Sequence, residues 1–327
     1  MKRNERRLAL VTKKKMFLQN FLVALPLFCI IGLGYVFARF KVVSIEIGNA
    51  LSKFSFTVTI PILLFRLMSD LPKLPAPNWL IGVAFFGSCF IVFAIGYFIG
   101  RKFLHLDRDG QTIFGMAGVF SNNIQLGVPL AISLLGKESL PSIAVIFSLN
   151  GFLMWTLATI AIELGRNKNP SLLKTFIKGT SATIRNPIVI GIVLGAVWGL
   201  TRLTLPAPAQ KAVDLLANSA APIALFAVGV GLTQYRITSN LRITSAVTIL
   251  KLGVQPFVVM VLCHLIGLNL EETKAACLLA CLPVGVNVYI MSQEFHTMQG
   301  ETANALLITT ALASFTVPMT LTIFGLT

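Results

Sequence analysis

Residues 120–136 read FSNNIQLGVPLAISLLG, and the way this stretch sits in a membrane decides the fold. It lies inside an apolar segment, residues 112–135, long enough at about 1.5 Å per residue to cross a bilayer. Near the middle of that segment stand Ser121, Asn122, Asn123 and Gln125, followed at once by Gly127 and Pro129. Three carboxamides have no place on a lipid-facing helix, and a proline removes a backbone donor while crowding the carbonyl one turn back. The helix is therefore expected to break here, with Gly127 and Pro129 as the breakers. Irregular backbone at membrane depth persists only where it is buried in protein or lines a wet cavity, the form a transporter's binding site takes. The competing reading is a proline kink whose asparagines bond between helices.

Composition extends the membrane reading to the whole chain. Of 327 residues, 55% are hydrophobic and 12% charged, and the mean hydropathy is positive. This exceeds what a soluble core uses and marks a polytopic membrane protein in contact with lipid, expected to be all-α and to lie in the cell (inner) membrane. The net charge of +15 resides mostly in short connections and one terminal run, a topological pattern rather than a nucleic-acid surface. No nucleic-acid partner is expected. All five cysteines lie in apolar segments and read as small buried hydrophobes.

In chain order, residues 1–15 are a basic tail, and apolar spans follow at 17–37, 48–68, 79–100, 112–135 and 140–164. A basic connection, 165–186, carries Arg166, Lys168, Lys174, Lys178 and Arg185. Five more spans follow at 187–200, 212–232, 246–268, 275–294 and 302–324, which makes ten. The halves, 16–164 and 187–327, repeat at a constant shift of 161 residues: Pro26 falls on Pro187, Gly34 on Gly195, and PILLF at 61–65 on PIALF at 222–226. The same shift lays residues 122–129 over 283–290, where Pro283, Gly285 and Asn287 again interrupt an apolar segment. Five is odd, so the second half must enter from the opposite side. The expected fold is ten transmembrane helices as two inverted five-helix repeats, with broken helices 4 and 9 crossing near the midplane. Half-helix amino ends there suit an anion.

The strings GVFSNNIQLGVPL in span 4, LPVGVNVYI with SQEF in span 9, and LKLGVQP in span 8 resemble the auxin efflux carrier family of membrane transporters, in its prokaryotic form with a short middle loop. The resemblance covers nearly the whole chain from Met16, and it rests on the joint order and spacing of these strings. It implies a scaffold of spans 1, 2, 6 and 7 that forms a homodimer. It further implies a transport domain of spans 3–5 and 8–10 that moves as an elevator by alternating access. Bacterial members are associated with organic anions such as malate and malonate, plant members with auxin. The resemblance also places Asn150 of span 5 toward the substrate. The substrate-binding set is then Asn122, Asn123, Gln125, Asn150 and Asn287.

His105, His264 and His296 are far apart and lack metal-ligand spacing, so no metal, cofactor or catalytic constellation is expected, and the chain is not read as an enzyme. Cys277 and Cys281 share a helix face and read as core packing. Lys251, inside span 8, either offsets buried carbonyl ends or the substrate's charge, or snorkels to the interface. Lys53 and Asp214 coincide under the repeat shift, but inversion puts such positions on opposite sides, so the pair is rejected. Three functions compete: a secondary carrier of small organic anions, a sodium- or proton-coupled carrier of related crossover fold, and a membrane-bound enzyme or sensor. The second calls for acidic residues at the crossover, where this chain has Asn and Gln. The third lacks an acid, base or nucleophile constellation. Leaving the tail aside, the connections carry five Lys and Arg on the face of the termini and twelve on the face of the middle loop. The middle loop is accordingly expected in the cytoplasm and both termini outside. Residues 1–15 are expected to be dispensable, an upstream misreading of the start.

Overall fold

The computed structural model describes residues 2–70, 72, 76, 78–136, 139–166, 184–235 and 240–325, with side chains from Lys14 onward. Most of the middle connection, with Lys168, Lys174 and Lys178, lies outside the described residues. So do the side chains of most of the basic tail. The described residues are helical throughout, apart from short connections and one isolated antiparallel bridge between Ser121 and Val284.

Helix α1 is continuous over Lys2–Arg39, so the tail prolongs the first apolar span as one helix. Ser44 caps α2 (Ile45–Phe54), and a widened turn at Ser55–Thr59 leads into α3 (Ile60–Met68). Then come α4 (Leu80–Lys102), α5 (Arg108–Val119) and α6 (Val128–Leu135), which a second widened turn, Asn123–Gly127, precedes. After α7 (Leu140–Gly165) follow α8 (Pro187–Thr201) and α9 (Ala207–Leu232). Helix α10 (Leu241–Ile249) passes through a third widened turn, Leu250–Val254, into α11 (Gln255–Ile266). The chain closes with α12 (Leu270–Ala280), α13 (Val286–Glu294) and α14 (Gln299–Ile323). Each widened turn stands just before a proline: Pro61, Pro129 and Pro256. A proline ring collides with the carbonyl four residues back, and a π turn moves that carbonyl aside while the helix continues.

Among the described residues, seven helical stretches are long and apolar enough to cross a membrane: Lys14–Arg39, Ile45–Met68, Leu80–Lys102, Leu140–Gly165, Ala207–Leu232, Leu241–Ile266 and Gln299–Ile323. The protein is thus a multi-pass membrane protein. The remaining three predicted spans correspond to the shorter α8 and to two interrupted stretches, α5 with α6 and α12 with α13.

Helix α1 lies along α9 and also along α14, and α3 lies along α8; the α1–α9 and α3–α8 crossings are closed by glycine. A Cβ on Gly34 would meet the Phe226 carbonyl oxygen at 2.2 Å, and one on Gly195 would meet that of Phe65 at 2.4 Å. These two contacts are one contact under the 161-residue shift, which carries Gly34 to Gly195 and Phe65 to Phe226. Gly191 and Gly199 extend the second crossing against Pro61 and Ser69, the small-residue spacing by which membrane helices approach closely. An ion pair between Arg66 and Asp214 ties α3 to α9, so Asp214 takes Arg66 as its partner. Elsewhere α4 packs on α5 and α11, α11 on α12, α5 on α7, and α14 on α10 and α13. Phe85, Phe114, Phe120 and Lys251 are among the bulkiest fully buried side chains, and Phe120 and Lys251 stand where the two interruptions meet.

Candidate functional site

Helix α5 ends at Val119, and the chain runs extended through Phe120 (φ −85°, ψ 96°) before Asn122 (φ −75°, ψ 62°) starts the next turn. The break therefore precedes Gly127 and Pro129, which belong to the opening turns of the second half instead. A proline is best tolerated there, because first-turn N–H groups have no intrahelical acceptor to lose. In the other half the break does contain Pro283 and Gly285, between Ala280 and Val286. The two interruptions bond to each other: Gly285 N donates to Phe120 O at 2.8 Å and Asn122 N to Pro283 O at 3.0 Å. Backbone groups that would otherwise be orphaned in an apolar interior are thereby paired. The approach needs glycine, since a Cβ on Gly285 would lie 2.9 Å from the Ser121 carbonyl oxygen. Thr309 of α14 completes the join by accepting from Val284 N at 3.1 Å.

The helix ends at this junction carry opposite partial charges, and the protein treats the two kinds differently. The carboxyl ends are Val119 of α5 and Ala280 of α12, again 161 residues apart. Lys251 Nζ donates to Ala280 O at 2.7 Å, to Ser121 Oγ at 2.6 Å and to Gln255 Oε1, while Gln255 Nε2 donates to Val119 O at 3.1 Å. Both side chains are fully buried, so Lys251 does not snorkel to an interface. One ammonium and one carboxamide, a helical turn apart, thus occupy both negative helix ends.

The amino ends face a cavity of about 390 Å³. Asn122, Asn123, Gln125, Asn150 and Asn287 all line it, so the five residues singled out from the sequence converge on one space. Val286 and Asn287 open α13, and Asn123 opens the turn before α6, its own N–H donating to Ser121 O at 2.8 Å, so both helix amino ends point their partial positive charge at the cavity. Asn123 is 2% exposed, and among the described residues neither its Nδ2 nor its Oδ1 has a hydrogen-bond partner. Such a group costs roughly 1–3 kcal/mol to bury and is uncommon in a folded protein. Gln125 is engaged, donating from Nε2 to Ser52 Oγ of α2 at 2.6 Å. A second lobe of about 260 Å³ continues past Asn150 and Asn287 between Phe56, Phe147, Phe152 and Trp155 to Asn186, the cap of α8. Outside the spans, Tyr235 stacks edge-on against Tyr289 of α13 at 4.8 Å. Burial pushes its hydroxyl up to about 12, and it stays neutral.

Sequence reasoning missed the wall that α2 contributes. Asn49, Ser52 and Lys53 of α2 line the cavity together with the broken helices. The available signal was a lysine inside an apolar span, which was weighed only as a mate for Asp214.

Comparison with known proteins bears on what passes through this space. The profile of a family described as membrane transport protein matches residues 21–321. A Rhizobium meliloti protein named for malonate transport is 30% identical over 301 residues, 90% of this chain and 92% of that protein. Auxin efflux carrier component 8 of Arabidopsis thaliana is 21% identical over 324 residues, 83% of this chain and 88% of its own. A transporter of Methanocaldococcus jannaschii is 20% identical, with 89% of this chain and 94% of its own covered.

Proposed function

Because the chain belongs to the membrane transport protein family, the auxin efflux carrier family that its strings resemble, we propose that it is a secondary carrier of small organic anions bearing carboxylates. The observation that carries this reading is the unpartnered carboxamide of Asn123, buried beside two helix amino ends in a cavity ringed by further carboxamides. Neutral donors and positive helix ends bond a carboxylate without the desolvation cost of a permanently buried charge, which suits a ligand that must also leave. The relative named for malonate transport points to the same class.

The architecture proposed for transport is ten crossings in two inverted repeats. The matched Gly34–Phe226 and Gly195–Phe65 contacts support it, as do the matched helix ends at Val119 and Ala280. Helices α1, α2, α3, α8 and α9 form the proposed scaffold, which meets lipid and a second copy of the chain to make a homodimer. Helices α4–α7 and α10–α14 form the transport domain and slide past it by alternating access. Lys251 and Gln255 hold the crossover together as it moves. The state proposed is open toward the middle connection, because Asn186, at the head of α8 beside that connection, lines the second lobe. A sodium- or proton-coupled carrier is the second reading. It calls for an acidic side chain at the crossover, where the described polar lining residues are Asn, Gln, Ser and Lys.

A thermal-stability screen of the purified protein against mono- and dicarboxylates tests the class, since binding to the folded state raises the unfolding midpoint. The expected result is a shift with carboxylates that Asn122→Ala and Asn287→Ala both diminish. No shift with any carboxylate would remove the reading.

A further inference from the structure

We propose that Lys53 recognises a second anionic group on the substrate, so that the carrier selects small dianions over monoanions of similar size. This rests on the carboxylate reading of the crossover cavity and goes beyond it by naming what the α2 wall does. Lys53 lies eight residues after the start of α2, about 12 Å along a helix that crosses the membrane. An ammonium at such a position is retained where it faces a water-filled pathway or a substrate. Lys53 does face one: it lines the same cavity as Asn123 and Asn287, from the scaffold side. It is the one formally charged side chain among the described lining residues, and no Asp or Glu stands on that lining to neutralise it. No ion pair of Lys53 is formed among the described residues; the carboxylate that coincides with it in the repeat, Asp214, is held by Arg66.

The neighbours of Lys53 are arranged to leave its ammonium available. Ser52 is occupied by Gln125, and Asn49, one turn earlier, accepts from Gln234 of the α9 end at 3.3 Å. The cavity thus has two unlike poles. One is neutral, made of the Asn123 carboxamide and the helix amino ends, and the other is the Lys53 cation that α2 contributes to the same lining. A carboxylate seated at the neutral pole leaves a second carboxylate, a short carbon chain away, to meet Lys53. A monoanion of the same length would leave the ammonium without a partner.

The test compares succinate with its monomethyl ester, and malonate and glutarate as length controls, by isothermal titration against the purified full-length protein. In the parent, succinate is expected to bind roughly tenfold to a hundredfold more tightly than the half-ester, the range of one charge-assisted bond. In Lys53→Met the ratio is expected to collapse toward one, and in Lys53→Arg to persist. Asn287→Ala should weaken both ligands in proportion and keep the ratio. A parental ratio near one, or a ratio that survives in Lys53→Met, overturns the proposal while leaving the carboxylate reading in place. Absence of binding by every one of these acids overturns both. Should Lys53→Met fail to fold, Lys53→Gln supplies the same comparison.

Discussion

Replacing Asn123 by leucine should make the empty protein more stable and the carrier worse. The side chain is 2% exposed, and both polar atoms of its carboxamide lack a partner among the described residues. An unsatisfied buried polar group costs roughly 1–3 kcal/mol, and an apolar group of similar shape removes that cost. Leucine keeps the branched, four-heavy-atom shape of the asparagine side chain while removing both polar atoms. The expected gain in the ligand-free protein is therefore about 1–3 kcal/mol, read as a higher unfolding midpoint in detergent. The same substitution removes a donor to the bound carboxylate, which should weaken binding by roughly 1.5–3 kcal/mol, about tenfold to a hundredfold. Function and stability would then move in opposite directions, as at sites kept strained for a ligand. A stabilised variant that binds and transports as the parent does would refute the reasoning, because Asn123 would then be a tolerated defect. A destabilised variant would show that its carboxamide is satisfied in the empty protein.

Further outcomes follow from the same geometry. Lys251→Met strips the Ala280 carbonyl of its donor and should cost about 1–3 kcal/mol of stability. Transport should fall further in Lys251→Met than in Lys251→Arg, which still carries donors, as uptake into vesicles would show. Gly34→Ala and Gly195→Ala each drive a methyl into a carbonyl at the α1–α9 or α3–α8 crossing. Each should lower stability by a similar amount, on the order of 1–3 kcal/mol and read as a lower unfolding midpoint, because the two contacts coincide under the 161-residue shift. A reporter fused to the carboxyl terminus should be found outside the cytoplasm, and a cytoplasmic signal would reverse the proposed orientation.

The helical class and the membrane setting were legible because apolar length and composition report them directly. The join between residues 122–129 and 283–290 was legible from two prolines, two glycines and the carboxamides, and the repeat shift placed one break over the other. The position of the first break was not. Proline marks where a helix cannot continue unaltered, and here a widened turn absorbs Pro129 while the extended residues fall at Phe120–Asn122, held by backbone bonds to Pro283 and Gly285. Those bonds link residues far apart in the chain, so no local pattern encodes them. Lys251 was visible as a charge in an apolar span, but its three acceptors come from Ser121, Gln255 and Ala280. Lys53 was visible in the same way. Which way it faced depended on the α2 wall closing over the crossover, a tertiary fact.

Counterflow of radiolabelled malonate in proteoliposomes tests most directly whether the crossover cavity carries a carboxylate across the membrane. Vesicles loaded with unlabelled malonate and containing the parent protein are expected to accumulate label transiently, and those containing Asn123→Leu with Asn287→Ala to accumulate no more than protein-free vesicles. Accumulation by the double variant at the parental rate, or none by the parent with malonate or any other carboxylate, would contradict it.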